Sequence, residues 1–385
     1  MSAAGLHPVL SATGPAELTE ALVAVPSVSG AECDIADLVE RRLRMFATAL
    51  TVHRVGNNVI ARTDSPDRSR LRLVFAGHLD TVPPSPPGAV AAPAPIPPGA
   101  VAGLGAVDMK GGIALMLLLA ERAAEAAYDA TFVFYDQEEV GSFRSGMRLL
   151  FDEYRELVDG DLAILLEPTG GVIEAGCQGN LVVELGFTGE RAHTARPWQG
   201  VNAIHRAAPV LDRLARTTPA PVLIDGLTYR QSLSVVAFDG GVQGNVVPDR
   251  AVIRVNYRHA PTLDSDAALA LVAGLAPEAD SVAVKLASPP AAPALGNPLV
   301  ARWRADLGLA VRPKLGWTDV GRFAAHGISA VNFGPGDPEL AHTPHEVVGP
   351  DDLAHCHQAL LHLLLTRPES AASSPKGDLL HATVA

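Results

Sequence analysis

The chain has 385 residues, 48% of them hydrophobic, enough for more than one core, so two domains are the first expectation. Its formal net charge of -12 argues against nucleic acid or an anionic membrane as a partner. Three scattered cysteines, Cys33, Cys177 and Cys356, exclude a disulfide framework and fit a reducing compartment.

In chain order, the N-terminus shows neither a basic stretch nor an apolar run of the kind that marks a signal peptide. The longest aliphatic run, Ile113 to Ala120, falls far short of the ~20 residues that span a bilayer. A cytoplasmic, soluble protein is the expectation. Residues 17–50 carry helical periodicity, broken at Pro26-Ser27-Val28-Ser29-Gly30. Strand-like and helix-like runs then alternate to about residue 178, the βαβ pattern of a mainly parallel sheet. The stretch from Pro83 to Pro98 is too rich in Pro, Ala and Gly for a helix or a central strand. A helix is predicted from Ile113 to about Ala127.

The character changes near Gly179. Strands are predicted at 180–187, Ser232–Phe238, Ala251–Tyr257 and 281–286, with helices at 202–216 and 265–275. This reads as a small α+β unit inserted into the first domain, with exit through the Pro/Ala stretch at 288–293. The βα pattern then returns. The predicted division is 1–178 and 292–367 for a discontinuous catalytic domain, 179–291 for the insertion, and 368–385 for a flexible tail.

Residues with metal-binding chemistry follow several apolar runs. His78 comes after Leu73-Val74-Phe75-Ala76, Glu138 and Glu139 after Thr131–Asp136, Glu167 after Leu162–Leu166, and His342 after Ala330–Phe333. Asp108 sits in a glycine-bounded loop, Gly103–Gly112. Ligands of open α/β sheets bind beyond the carboxyl ends of the strands, so these residues would converge on one site. Crowded carboxylates repel unless a cation holds them ionised, which points to a two-metal hydrolytic centre. Asp80, two residues past His78, could orient the imidazole. Alone, His-x-Asp reads equally well as a solvated loop, and an Asp near a helix start is more often an N-cap. In the Glu138-Glu139 pair, one carboxylate can bind metal while its neighbour faces the attacking water as general base. His345 and Glu346 follow close behind His342.

Gly77-His78-Leu79-Asp80-Thr81-Val82-Pro83, Asp108-Met109-Lys110-Gly111-Gly112, Glu138-Glu139 and Glu167-Pro168 strongly resemble the dinuclear-zinc aminoacylase/carboxypeptidase family, over about residues 17–365. The resemblance implies an α/β zinc-hydrolase domain with an inserted, ferredoxin-like lid that dimerises. It implies two Zn2+ per chain, with Co2+ able to substitute. His78 and Glu167 would hold one metal, Glu139 and His342 the other, with Asp108 bridging. Glu138 would be the base and Asp80 the residue orienting His78. The family's last ligand stands four residues before a glutamate, which selects His342 over His345. The peptide after Asp108 would be cis.

Segments 176–181, 191–209 and Gly244-Asn245-Val246-Val247-Pro248, with Gly316-Trp317-Thr318-Asp319 and 332–336, resemble the branch that releases succinate from N-succinyl amino acids. There the lid histidine, here His193, reaches the partner subunit's scissile carbonyl. Asn245, Arg258 and Gly334 match substrate-contacting positions. Alternatives are another N-acyl-amino-acid deacylase or dipeptidase on the same scaffold, or a metal-poor binding relative. Leu104 and the Pro83–Pro98 stretch depart from the family pattern beside the cleft.

Overall fold

The computed structural model describes residues 6–65, 67, 70–85, 96–141 and 143–367. The tail expected to be flexible, 368–385, lies outside them, as does the centre of the Pro83–Pro98 stretch. Eight strands form the main sheet, in the order Thr51–Val55, Asn58–Arg62, Asp129–Tyr135, Arg72–His78, Leu162–Leu165, Ser329–Asn332, Ile173–Ala175 and Val311–Pro313. The four from Asp129–Tyr135 to Ser329–Asn332 are mutually parallel. Antiparallel pairings enter through the edge hairpin and Ile173–Ala175.

The parallel strands read as unbroken apolar runs because both faces are covered. Successive side chains alternate between the two faces. Leu73 and Phe75 pack with Ile113, Met116 and Leu360 on one side, while Val74 and Ala76 pack with Met147, Leu150 and Phe323 on the other. Helix Gly111–Glu121 is buried along almost its whole length. It stops six residues short of the predicted end. A 3-10 turn, Ala123–Glu125, follows, and Ala127 N–H pairs with Leu364 O at 2.9 Å as the chain turns into strand Asp129–Tyr135. Gly112 lets this helix lie directly on a strand end: a Cβ there would stand 2.3 Å from Leu166 O.

The second sheet is antiparallel, in the order Ser232–Gly240, Arg250–His259, Gly179–Thr188, Ser281–Ser288. Helices Ala203–Arg216 and Ser265–Gly274 complete a β-α-β-β-α-β unit with ferredoxin-like strand order. Ala203, Ala207, Val210 and Leu214 form the buried stripe of the longer helix, and Asn202 caps its start by accepting from Ile204 and His205 N–H. The two chain crossings between the units run side by side: Cys177 and Ala291 exchange backbone hydrogen bonds of 3.1 and 3.0 Å. A hairpin that the sequence reading did not anticipate, Val222–Ile224 with Leu227–Tyr229, turns back onto the larger unit, where Tyr229 Oη donates to Ala175 O at 2.7 Å. No helix of the described residues is long and apolar enough to cross a membrane.

Candidate metal centre

His78 is the last residue of strand Arg72–His78 and is buried. Its Nδ1 lies 3.0 Å from the main-chain oxygen of Asp80 and 3.4 Å from Asp80 Oδ1. A proton on Nδ1 donated there leaves Nε2 with its lone pair free for a ligand. The Asp80 carboxylate has further duties. Oδ1 accepts from Glu138 N–H at 3.0 Å, and Oδ2 accepts from Glu139 N–H at 3.0 Å and Ser29 Oγ at 2.7 Å. One carboxylate thereby ties the end of the His78 strand to the loop carrying both glutamates.

Asp108 sits in a tight loop just before helix Gly111–Glu121, and the Asp108–Met109 peptide is cis. Glu346 Oε2 accepts Val107 N–H at 3.2 Å and Asp108 N–H at 3.3 Å. Each oxygen of Asp108 faces a different imidazole: Oδ1 lies 3.0 Å from His78 Nε2, and Oδ2 lies 3.3 Å from His342 Nε2. His342 Nε2 is also 2.8 Å from Glu139 Oε1. Donor atoms fall within 4.8 Å of one another in three sets: His78 with Asp108 and Glu167, Asp108 with Glu139 and His342, and His78 with Glu138 and Glu139.

The electrostatics follow from burial. Desolvation pushes the Glu138 carboxyl well above its ordinary range and Glu167 up to about 7, with neighbouring carboxylates adding to both. Hydrogen bonds to Asp108 and Glu139 lift His342 to about 10. Burial opposes ionisation of Asp108 as well, but the two imidazoles outweigh it and hold that carboxyl low. Divalent cations relieve this crowding by replacing protons among the donors, so the residues present fit a pair of metals.

The cleft above the centre is lined by His78, Asp108, Glu138, Glu139, Glu167 and His342, with Lys314, Gly316, Trp317 and Thr318 along one wall. The other candidates lie elsewhere in this single chain. His193 is exposed on a loop of the inserted unit, bridged through its backbone to Val246. Thr194 N–H donates to Asn245 O at 3.1 Å, so His193 and Asn245 share one end of that unit. Arg258 is half-buried in strand Arg250–His259, where desolvation lowers its pKa. Gly334 is buried against the Glu167 segment. Its N–H donates to Thr169 Oγ1 at 3.1 Å, and a Cβ would stand 2.5 Å from Leu166 O. Lys314, Ser29 and the clamp formed by Glu346 escaped the sequence reading, which used Glu346 only as a spacing marker.

A strand-end cluster of imidazoles and carboxylates over a mainly parallel sheet, with an inserted antiparallel unit, is the build of a metal-dependent hydrolase. The chain belongs to peptidase family M20/M25/M40, whose sequence pattern matches residues 74–366. It is 48% identical over 338 residues to a Mycobacterium tuberculosis protein named as succinyl-diaminopimelate desuccinylase DapE, covering 87% of this chain and 93% of that one. It is 42% identical over 348 residues to the succinyl-diaminopimelate desuccinylase of Corynebacterium glutamicum, covering 88% and 92%. In fold it is similar to the aminopeptidase PepT of Bacillus cereus, with a TM-score of 0.73 at 22% identity over 91% of this chain and 97% of that one.

Proposed function

We propose that the protein is a two-metal amide hydrolase that removes the succinyl group from N-succinyl-L,L-2,6-diaminopimelate, releasing succinate and L,L-diaminopimelate. The observation that carries the chemistry is the overlap of two donor sets on one carboxylate, Asp108. The substrate rests on the likeness to the two desuccinylases. His78 and Glu167 would hold one cation and Glu139 and His342 the other, with Asp108 serving both. Two imidazoles and three carboxylates suit zinc, with cobalt as a substitute. When bound, the metals supply Lewis acidity for the amide oxygen and make water a nucleophile near neutral pH.

Glu138 lies beside His78 and Glu139 without belonging to either of the two metal-holding sets. Burial makes its carboxylate more basic than an exposed one, and bound cations beside it would keep it ionised, so it takes the proton of the attacking water and returns it to the departing amine nitrogen. Asp80 fixes His78 and the Glu138–Glu139 loop together. His193 is exposed and is not among the residues lining this chain's own cleft, which suits service in trans. His193 of the partner subunit donates to the oxyanion as the carbonyl becomes tetrahedral, an effect worth roughly 3–4 kcal/mol for one good donor. Asn245 and Arg258 hold carboxylate or amide groups of the substrate, and Gly334 is a further substrate contact. The homodimer that this requires forms through the inserted unit, whose strand Ser232–Gly240 lies at a sheet edge and can pair across a two-fold axis.

The test is a substrate panel: N-succinyl-L,L-diaminopimelate, N-acetyl amino acids and dipeptides, with released amine measured. The succinyl substrate should give the highest kcat/KM. Faster turnover of an N-acetyl amino acid or a dipeptide would replace this reading with a broader deacylase or a peptidase.

A further inference from the structure

Strand Val311–Pro313 runs parallel to Ile173–Ala175 with Arg312 opposite Glu174, and this register delivers Lys314 to the wall of the cleft. Glu174 is buried and shared by two cations. Arg312 Nε meets Oε1 at 2.8 Å, and Lys314 Nζ meets Oε2 at 2.6 Å. Two cations on one carboxylate leave one positive charge in excess. The two cations are placed differently. Arg312 is 41% exposed and also donates to Thr169 O, whereas the Lys314 side chain is 14% exposed and faces the cleft.

Among the described residues lining the cleft, Lys314 is the one lysine or arginine. Its polar neighbours are already engaged: Thr318 Oγ1 donates to Asn332 Oδ1 at 2.9 Å, and Trp317 Nε1 donates to Pro289 O at 2.9 Å. With two dications bound, Glu138, Asp108, Glu139 and Glu167 would be balanced in charge and would make no lasting claim on the ammonium. An ammonium has three donors, and Glu174 accounts for one partner.

We propose that Lys314 is a specificity-determining residue that binds a substrate carboxylate remote from the scissile amide. The proposal rests on the desuccinylase reading above. N-succinyl-diaminopimelate carries a remote carboxylate at each end, one on the acyl chain and one on the far amino-acid carbon. A substrate without the carboxylate that Lys314 holds leaves this charge unanswered in a partly desolvated wall, so it is selected against.

The experiment compares wild type, Lys314→Met and Lys314→Arg on three substrates. These are N-succinyl-L,L-diaminopimelate, N-acetyl-L,L-diaminopimelate (no acyl carboxylate) and Nα-succinyl-L-lysine (no far carboxylate). Failure of the wild type to turn over the first sinks the desuccinylase reading itself, whatever the variants do. With the wild type active, Lys314→Met should lower kcat/KM on the full substrate roughly 10- to 100-fold, the range of a lost charged hydrogen bond, mainly through KM. One truncated substrate should be spared to within about twofold, and its identity names the carboxylate. Lys314→Arg should restore part of the loss. Because Lys314→Met leaves Glu174 less well paired, the double variant Lys314→Met/Glu174→Gln is assayed beside it and should show the same dependence on substrate. Equal losses on all three substrates, no loss at all, or disappearance of the pattern in the double variant overturns the proposal.

Discussion

Asp80→Asn changes almost nothing in shape and removes one acceptor oxygen from the point where two loops are joined. In the native protein Oδ1 accepts one backbone N–H, from Glu138, and Oδ2 accepts another, from Glu139, along with the Ser29 hydroxyl. An asparagine amide can satisfy one of these sides. The other then confronts an NH2 group, leaving a backbone donor without an acceptor beside a buried residue. A buried donor left unsatisfied costs about 1–3 kcal/mol. Asp80→Ala abandons both N–H groups, so its loss should be about twice as large. The loop that carries Glu139 should also loosen its hold on metal, by the 10- to 100-fold typical of removing a group that supports a ligand. Urea unfolding of the metal-free variants would measure the first effect and competitive zinc titration the second. An Asp80→Asn protein within 0.5 kcal/mol of wild type and with unchanged zinc affinity would refute this reasoning.

Glu138→Gln should keep two metals and the fold but lose several orders of magnitude in kcat, whereas Glu139→Gln should weaken one metal; equal metal loss in both, by elemental analysis, would mean the roles are misassigned. Glu346→Ala should lower zinc affinity without touching a ligand, because the backbone clamp on Val107 and Asp108 is lost, and Glu346→Gln should recover much of it. Burial raises the Asp136 carboxyl to about 6, so the native fold favours the proton and stability falls as pH rises from the unfolded value near 4 through 6. Asp136→Asn should therefore gain up to about 3 kcal/mol well above pH 6 and nothing below pH 4, measured by unfolding at several pH values. Mixed dimers of His193→Ala and Glu138→Gln chains, each inactive alone, should regain partial activity; none after proven subunit exchange would exclude catalysis in trans.

Much of the centre was legible because its residues follow apolar runs that read as strands. His78, Glu138, Glu139 and Glu167 lie just beyond buried segments whose both-sided burial makes the runs continuous. The α+β insertion was legible from strand alternation and the helical stripe at Ala203, Ala207, Val210 and Leu214. The end of helix Gly111–Glu121 was not, since Ala and Glu beyond residue 121 favour helix and only tertiary pairing with Leu364 turns the chain. The Val222–Tyr229 hairpin carried a usable signal in Asp225-Gly226, both with positive φ as a two-residue turn of this kind requires, but its strands are only three residues long. Lys314 has no local signature. Its meaning arises from the pairing of Arg312 with Glu174, 138 residues apart in the chain. The contact of Asp80 with the Glu138–Glu139 loop is likewise a property of two neighbouring strand ends rather than of either motif.

The most direct test of a metal-dependent desuccinylase is succinate release from N-succinyl-L,L-diaminopimelate by chelator-stripped protein during stepwise return of zinc. Activity should be absent at first, rise with added metal and reach its plateau at two equivalents per chain. Full succinate release from protein shown to be metal-free, or none at any zinc loading, would contradict it.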